Sequence, residues 1–164
     1  MSWVNLTDQQ VKRAHACALR RQAANSKPNR RNRNADIDAH RNMLWEYRGA
    51  LGEVACANFL DLEWTAEYDA GPDVGGFIEV RTTHPAYRLA LVPKDFTTHD
   101  LDTPFVSAIL DGDQNQIGIT LRGWDTLRNL RQVMTTKEKS GHIFHLVETQ
   151  DLQPMTRLKD WLGL

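Results

Sequence analysis

Apolar residues recur along this chain with two different periods, and the change between them falls near Asp61. Up to that point the spacing is helical. A first helix is expected from about Asp8 to Ala24, opened by Thr7 and Gln10 at the spacing of a capping box. Its stripe of Val11, Ala14, Ala18 and Leu19 is thin, which predicts light packing and arginines left free. Asn25 to Asn34 is a polar, asparagine-rich breaker and predicts a loop that orders on contact with a partner. A second helix, from about Ala39 to Leu60, places Leu44, Tyr47, Leu51, Val54, Ala55 and Phe59 largely at three- and four-residue steps and belongs to the core.

Beyond Asp61 apolar and polar residues alternate, and short strands are expected over Glu63 to Ala66, Gly76 to Thr82, Arg88 to Val92, Phe105 to Leu110 and Ile117 to Arg122. Gly71-Pro72-Asp73 and His84-Pro85 bracket the second of these with turns, and Asp111-Gly112-Asp113 would join the fourth to the fifth as a hairpin. Trp124 to Val133 reads as a short helix, His142 to Val147 as a further strand and Asp151 to Leu162 as a closing helix. Helices before and after a set of strands, packed around one sheet, give an α/β or α+β sandwich.

The 164 residues, 41% hydrophobic and 25% charged, suit one soluble domain with at most an appended arm, so the chain is divided into a basic helix and loop over residues 1–38 and a folded domain over residues 39–164. Apolar runs fall short of the roughly 20 residues that cross a bilayer, and the N-terminus lacks the basic and apolar regions of a signal peptide. A cytoplasmic protein without a membrane partner is expected. Cys17 and Cys56, in alanine-rich helical stretches, read as buried free thiols.

Charge changes the picture more than composition does. The formal net charge is only -1, yet Gln9 to Ala35 carries Lys12, Arg13, Arg20, Arg21, Lys27, Arg30, Arg31 and Arg33 with no carboxylate. The rest of the chain is strongly acidic. Arginine-rich asymmetry of this kind predicts an arm that grips the phosphates of a nucleic acid and releases counterions, against the simpler reading of a solvated helix face and loop.

Three carboxylates are candidates for chemistry. Glu53 lies in the middle of the second helix, where its neighbours three and four residues away are Gly49, Ala50, Cys56 and Ala57, with no basic partner on that helix. Small neighbours let the helix approach the sheet, and a glutamate on that seam needs a cation. Asp73 lies in the turn before the second strand, and Glu79 and Arg81 project from one face of it together with Phe77. Carboxylates so placed can share a hard cation such as Mg²⁺, which would polarise a phosphodiester and lower the pKa of a bound water. A surface ion pair between Glu79 and Arg81 is the plainer reading.

Arg48-Gly49-Ala50-Leu51-Gly52-Glu53-Val54-Ala55 on a helix, followed by Gly71-Pro72-Asp73-Val74-Gly75-Gly76 and Ile78-Glu79-Val80-Arg81-Thr82, resembles the PD-(D/E)xK nuclease superfamily, and in particular its small bacteriophage-type members. The likeness runs from about Arg41 to Val147 and takes in Leu89 to Asp95 and the Gly123-Trp124 step. It implies a restriction-endonuclease-like core, a mixed β-sheet flanked by helices. It also implies a Mg²⁺- or Mn²⁺-dependent endonuclease that hydrolyses DNA, located in the host cytoplasm if encoded by a phage, with homodimerisation as a way to cut both strands. Asp73 and Glu79 would be the metal-binding acids, and Glu53 would complete the metal site or orient water. Arg81 stands where the superfamily has lysine. It stays protonated, so it can clamp a phosphate but cannot act as a general base. Lys94 in Pro93-Lys94-Asp95 could supply an ammonium to the same face instead. The alternative implied by the arginine is a catalytically inactive nuclease-fold protein that binds nucleic acid or a protein.

The remaining motifs carry less. His84 and His99 are loop residues near the acids, auxiliary contacts to phosphate or plain surface residues. His142 and His145 would point to opposite faces of a strand, which argues against zinc. Trp3, Trp45, Trp64, Trp124 and Trp161 are scattered in the manner of core and cap packing.

Overall fold

The computed structural model describes residues 1–25, 39–65, 72–83, 88–113, 116–139 and 141–164. Helix α1 spans Asp8–Asn25 and α2 spans Ala39–Leu60, close to the expected bounds. The capping box is formed in both directions: Thr7 N–H donates to Gln10 Oε1 at 2.9 Å, and Gln10 N–H donates to Thr7 Oγ1 at 3.3 Å. At the far end of α2, Asp61 adopts a left-handed conformation (φ 57°) and Leu62 N–H reaches back to the Ala57 carbonyl at 2.9 Å, which closes the helix in a Schellman turn.

The strands form two sheets where one was expected. The first has the order β1-β5-β4-β2, with β1 Ser2–Asn5, β2 Glu79–Thr83, β4 Pro104–Asp113 and β5 Gln116–Thr126. The second has the order β3-β7-β6, with β3 Leu89–Leu91, β6 Thr135–Lys139 and β7 His142–Val147. Most neighbours are antiparallel, but β2 runs parallel to β4, with Glu79 opposite Phe105 and Arg81 opposite Ser107. Short α3 (Asp95–Thr98), α4 (Leu127–Val133) and α5 (Met155–Leu162) complete a mixed α/β fold of two sheets flanked by helices.

Several boundaries differ from expectation. Asp111 to Asp113 forms no turn but continues β4, paired with Gly118, Ile117 and Gln116. Trp124 to Thr126 continues β5, and α4 starts only at Leu127, where the Thr126 hydroxyl accepts from Asn129 N–H. Residues 63–65 are not a strand, and Gly76 and Phe77 belong to the turn closed by the Val74–Ile78 bridge. Phe77 is therefore outside β2.

Two cores result. The larger joins Leu6, Ala14 and Cys17 of the N-terminal segment to Leu51, Val54, Ala55 and Leu60 of α2 and to Ile78, Val80, Val106, Ile119 and Leu121 of the first sheet. The smaller joins Leu89, Leu91, Phe105, Leu127, Leu130 and Val147. The expected division after residue 38 falls at the end of a stretch outside the described residues, and α1, before that stretch, shares the larger core. Cys17 takes the place expected for Leu19, which is 49% exposed. Both thiols are buried and outside any disulfide, and burial raises their pKa. Gly52 is where α2 meets the sheet: a Cβ there would lie 1.8 Å from Thr82 Oγ1 of β2. Only glycine permits that approach.

Candidate active site

Glu53 lies in the buried half of α2, 3% exposed. A lone carboxylate there would be costly. The cation it needs comes from the other helix: Arg21 donates from both terminal nitrogens to Glu53 Oε1 and Oε2, at 2.6 and 2.7 Å. The Trp64 indole N–H adds a third donor, 2.9 Å from Oε2. Burial opposes the charge of Arg21, but the hydrogen bonds and charge of Glu53 outweigh it and raise the pKa of the guanidinium. Two expectations are corrected here. Arg21 is not a free phosphate ligand, and Glu53 has both oxygens engaged by protein donors, so it is not placed to ligate a metal directly.

Asp73 and Glu79 come from the turn and from the first residue of β2. Val80 N–H donates to Asp73 Oδ2 at 2.8 Å, and Gly75 and Gly76 carry the turn through positive φ (61° and 75°). Burial, then the charges of Glu53 and Glu79, push the Asp73 carboxyl well above the usual carboxylate range. Burial also pushes Glu79 up, against the pull of Arg81 and His99. The three expected acids thus sit within electrostatic reach of one another.

Arg81 projects beside Glu79, as strand alternation requires. Its Nη1 lies 2.6 Å from Glu79 Oε1, and its Nη2 donates to Asp95 Oδ1 at 2.8 Å. The guanidinium rests over the Phe105 ring, 5.7 Å from its centroid. Burial works against this charge too, and Glu79 and Asp95 prevail. Asp95, absent from the expected set, is 3% exposed and also accepts from Val92 N–H at 2.7 Å. Lys94 is exposed at the start of α3, and the carboxylate of its neighbour Asp95 is the group that meets Arg81. His99 Nε2 stands 4.0 Å from Glu79 Oε2, its ring edge-on to Phe105.

The result is a chain of charges, Arg21–Glu53, Asp73, Glu79–Arg81–Asp95, in which four carboxylates face two guanidiniums. Among the described residues no ion pair neutralises Asp73. Mg²⁺ is commonly held by one or two carboxylates and keeps several waters. Asp73 and Glu79, hard oxygen donors in a region of surplus negative charge, fit such an ion. The expected cage of three ligating acids is not formed: among the described residues, no three His, Cys, Asp or Glu groups are close enough to hold a metal.

Of the expected nucleic-acid contacts, Lys12 and Arg20 are exposed on α1. Arg13 lies over the Trp64 ring at 5.5 Å and donates to the Trp64 carbonyl at 3.2 Å. Lys27, Arg30, Arg31, Arg33 and His84 lie outside the described residues. His145 pairs with Thr136 Oγ1 across β6 and β7, at 3.0 Å. Trp64 and Trp124 are buried, whereas Trp3, Trp45 and Trp161 are about half exposed, which core packing does not explain.

Among the described residues no helix is long and apolar enough to cross a membrane. Comparison with protein-family models, with curated proteins and with solved structures finds no match to this chain.

Proposed function

We propose that the protein is a metal-dependent nuclease with a restriction-endonuclease-like core, hydrolysing DNA phosphodiester bonds at Asp73 and Glu79. The observation that carries this reading is the gathering of the Asp73 and Glu79 carboxyls within electrostatic reach of one another, beside a fixed guanidinium. Asp73 and Glu79 would hold Mg²⁺ or Mn²⁺, which when bound polarises a phosphodiester and acidifies a water. Glu53 works one layer behind them, its charge held in place by Arg21 and Trp64 so that negative potential persists at Asp73. Arg81 fixes the Glu79 carboxylate and offers positive charge to the developing phosphorane, a role suited to a group that never loses its proton. His99 stands beside Glu79, its Nε2 4.0 Å from Oε2, where it can add a contact to the same phosphate. Lys12 and Arg20, with the bases of residues 27–33, supply salt-dependent affinity for the phosphate backbone.

Supercoiled and linear DNA incubated with the protein should be cut in Mg²⁺ or Mn²⁺ and left intact in EDTA. Asp73→Ala and Glu79→Gln should abolish cutting, and Glu53→Gln, which loosens the Arg21 anchor, should weaken metal binding about 10–100-fold. Cutting that survives both of the first two substitutions would refute the assignment.

A second reading is favoured by one observation, that Arg81 is already engaged by both Glu79 and Asp95. In that reading the protein is a nuclease-fold binder without catalysis. Calorimetry separates the two. Heat of Mn²⁺ binding that disappears in Asp73→Ala supports the enzyme, and no binding to the unmodified protein supports the binder.

A further inference from the structure

Beside the acids, a cavity of about 470 Å³ opens between the Asp73 turn, the loop after α3 and α5, a size within the range of small-ligand sites. Two aromatic faces on its wall are left in solvent, Phe77 at 39% and Trp161 at 51% exposure. Both are held in place. Phe77 packs across Gly75, where a Cβ would come within 2.8 Å of the ring, and Trp161 leans against the buried Trp124, the rings tilted by 51° with centroids 5.5 Å apart.

The cavity is continuous with the candidate active site, because His99 lines it and stands 4.0 Å from Glu79. Its polar lining includes the carboxylates of Asp100 and Asp102, the latter fixed by Arg128 at 3.0 and 3.2 Å. Carboxylates repel a phosphate but accept hydrogen bonds from exocyclic amino groups. Flat apolar faces plus acceptors, adjoining a site for phosphodiester chemistry, match a base lifted out of its stack.

We propose that this cavity receives an unpaired nucleobase of the nucleic acid, stacked against Phe77 and Trp161, so that single-stranded or unstacked segments are the preferred ligand. This rests on the nuclease-fold reading for the location of the phosphate backbone. It adds a binding site that the acids alone do not define.

The test compares two fluorescent single-stranded oligonucleotides of equal length and charge, one with normal bases and one with abasic positions, in EDTA so that neither is cut. The normal strand should bind about tenfold tighter or more, as base–aromatic stacking elsewhere suggests. Phe77→Ala and Trp161→Ala should each erase most of that preference while leaving affinity for the abasic strand unchanged, and Trp161→Phe should retain it. Phe77→Ala changes only an exposed turn, so it serves if Trp161→Ala does not fold. Equal binding of the two strands by the unmodified protein would overturn the proposal, as would equal losses on both strands in the variants. Selective binding of a trimethyl-lysine peptide in place of the oligonucleotide would also overturn it. Base-dependent binding without cleavage in Mn²⁺ would sink the enzyme and keep the cavity, whereas cleavage without base dependence would do the reverse.

Discussion

Asp73 is the carboxylate whose ionisation the fold resists most visibly, through burial and the charges of Glu53 and Glu79. Its folded pKa lies above its unfolded one, so between those values the folded protein holds more protons and stability falls as pH rises. Below the ordinary aspartate value, about 3.9, the effect vanishes because both states are protonated. Asp73→Asn keeps an acceptor for Val80 N–H and removes the charge. In metal-free buffer it should melt a few degrees above the unmodified protein at pH 7–8, equivalent to about 1–2 kcal/mol. The gap should close by about pH 4, and thermal melts across pH read it directly; a gap that widened on acidification would contradict the account. At this scale the sequence exposes Glu53, Asp73, Glu79 and Arg81 as a group, because their motif is local. It hides who pays for Glu53, since Arg21 lies 32 residues away on another helix. A signal existed: Arg21 continues the buried stripe of Ala14, Cys17 and Ala18 at helical spacing, an odd place for an unpaired arginine. Asp95 left no such trace, because its role depends on the first residue of α3 coming to lie against Arg81 of β2.

Among the elements, α2 is the one whose seat decides the site, and Gly52 decides the seat. The nearest atom to a Cβ at that position is Thr82 Oγ1, a buried hydroxyl without a hydrogen-bond partner among the described residues. Gly52→Ala should therefore cost about 1–3 kcal/mol through overpacking. Adding Thr82→Ala should recover a large part of that loss, because it removes the clashing atom and an unsatisfied polar group together. Denaturant melts of the two single variants and the double variant measure the coupling, and simple additivity would count against this seat. Helices α1 and α2 are legible in the sequence almost to the residue, since capping chemistry and periodicity agree there. Strands β1 and β6 are not. Ser2–Asn5 is too short to show a period, and β6 is a polar strand, exposed over Thr135 to Glu138 and paired among the described residues with β7 alone. Asp111-Gly112-Asp113 looked like a turn for its residue types, but its pairing with Gln116 to Gly118 carries β4 onward.

For the whole molecule, the split into two sheets and the parallel β2–β4 pair were out of reach of pattern reading, because alternation marks strands without naming their partners. The uneven charge was plain, and it makes a solution prediction. If Lys12 and Arg20 each meet a phosphate, binding to duplex DNA should weaken steeply with salt, and Lys12→Gln plus Arg20→Gln should flatten the log–log slope by about 2. An unchanged slope, read by anisotropy titrations at several salt concentrations, would remove α1 from the interface. The N-terminal residues also do something unrelated to charge. Strand β1 covers Gly118 to Leu121 of β5, with the Trp3 indole laid over Gly118. Without those few residues, β5 would present a bare row of amides and carbonyls to neighbouring molecules, a template for edge-to-edge aggregation. The border of the sheet is thus narrowed to β1, a strand of four residues, and an edge that short offers other copies little to pair with.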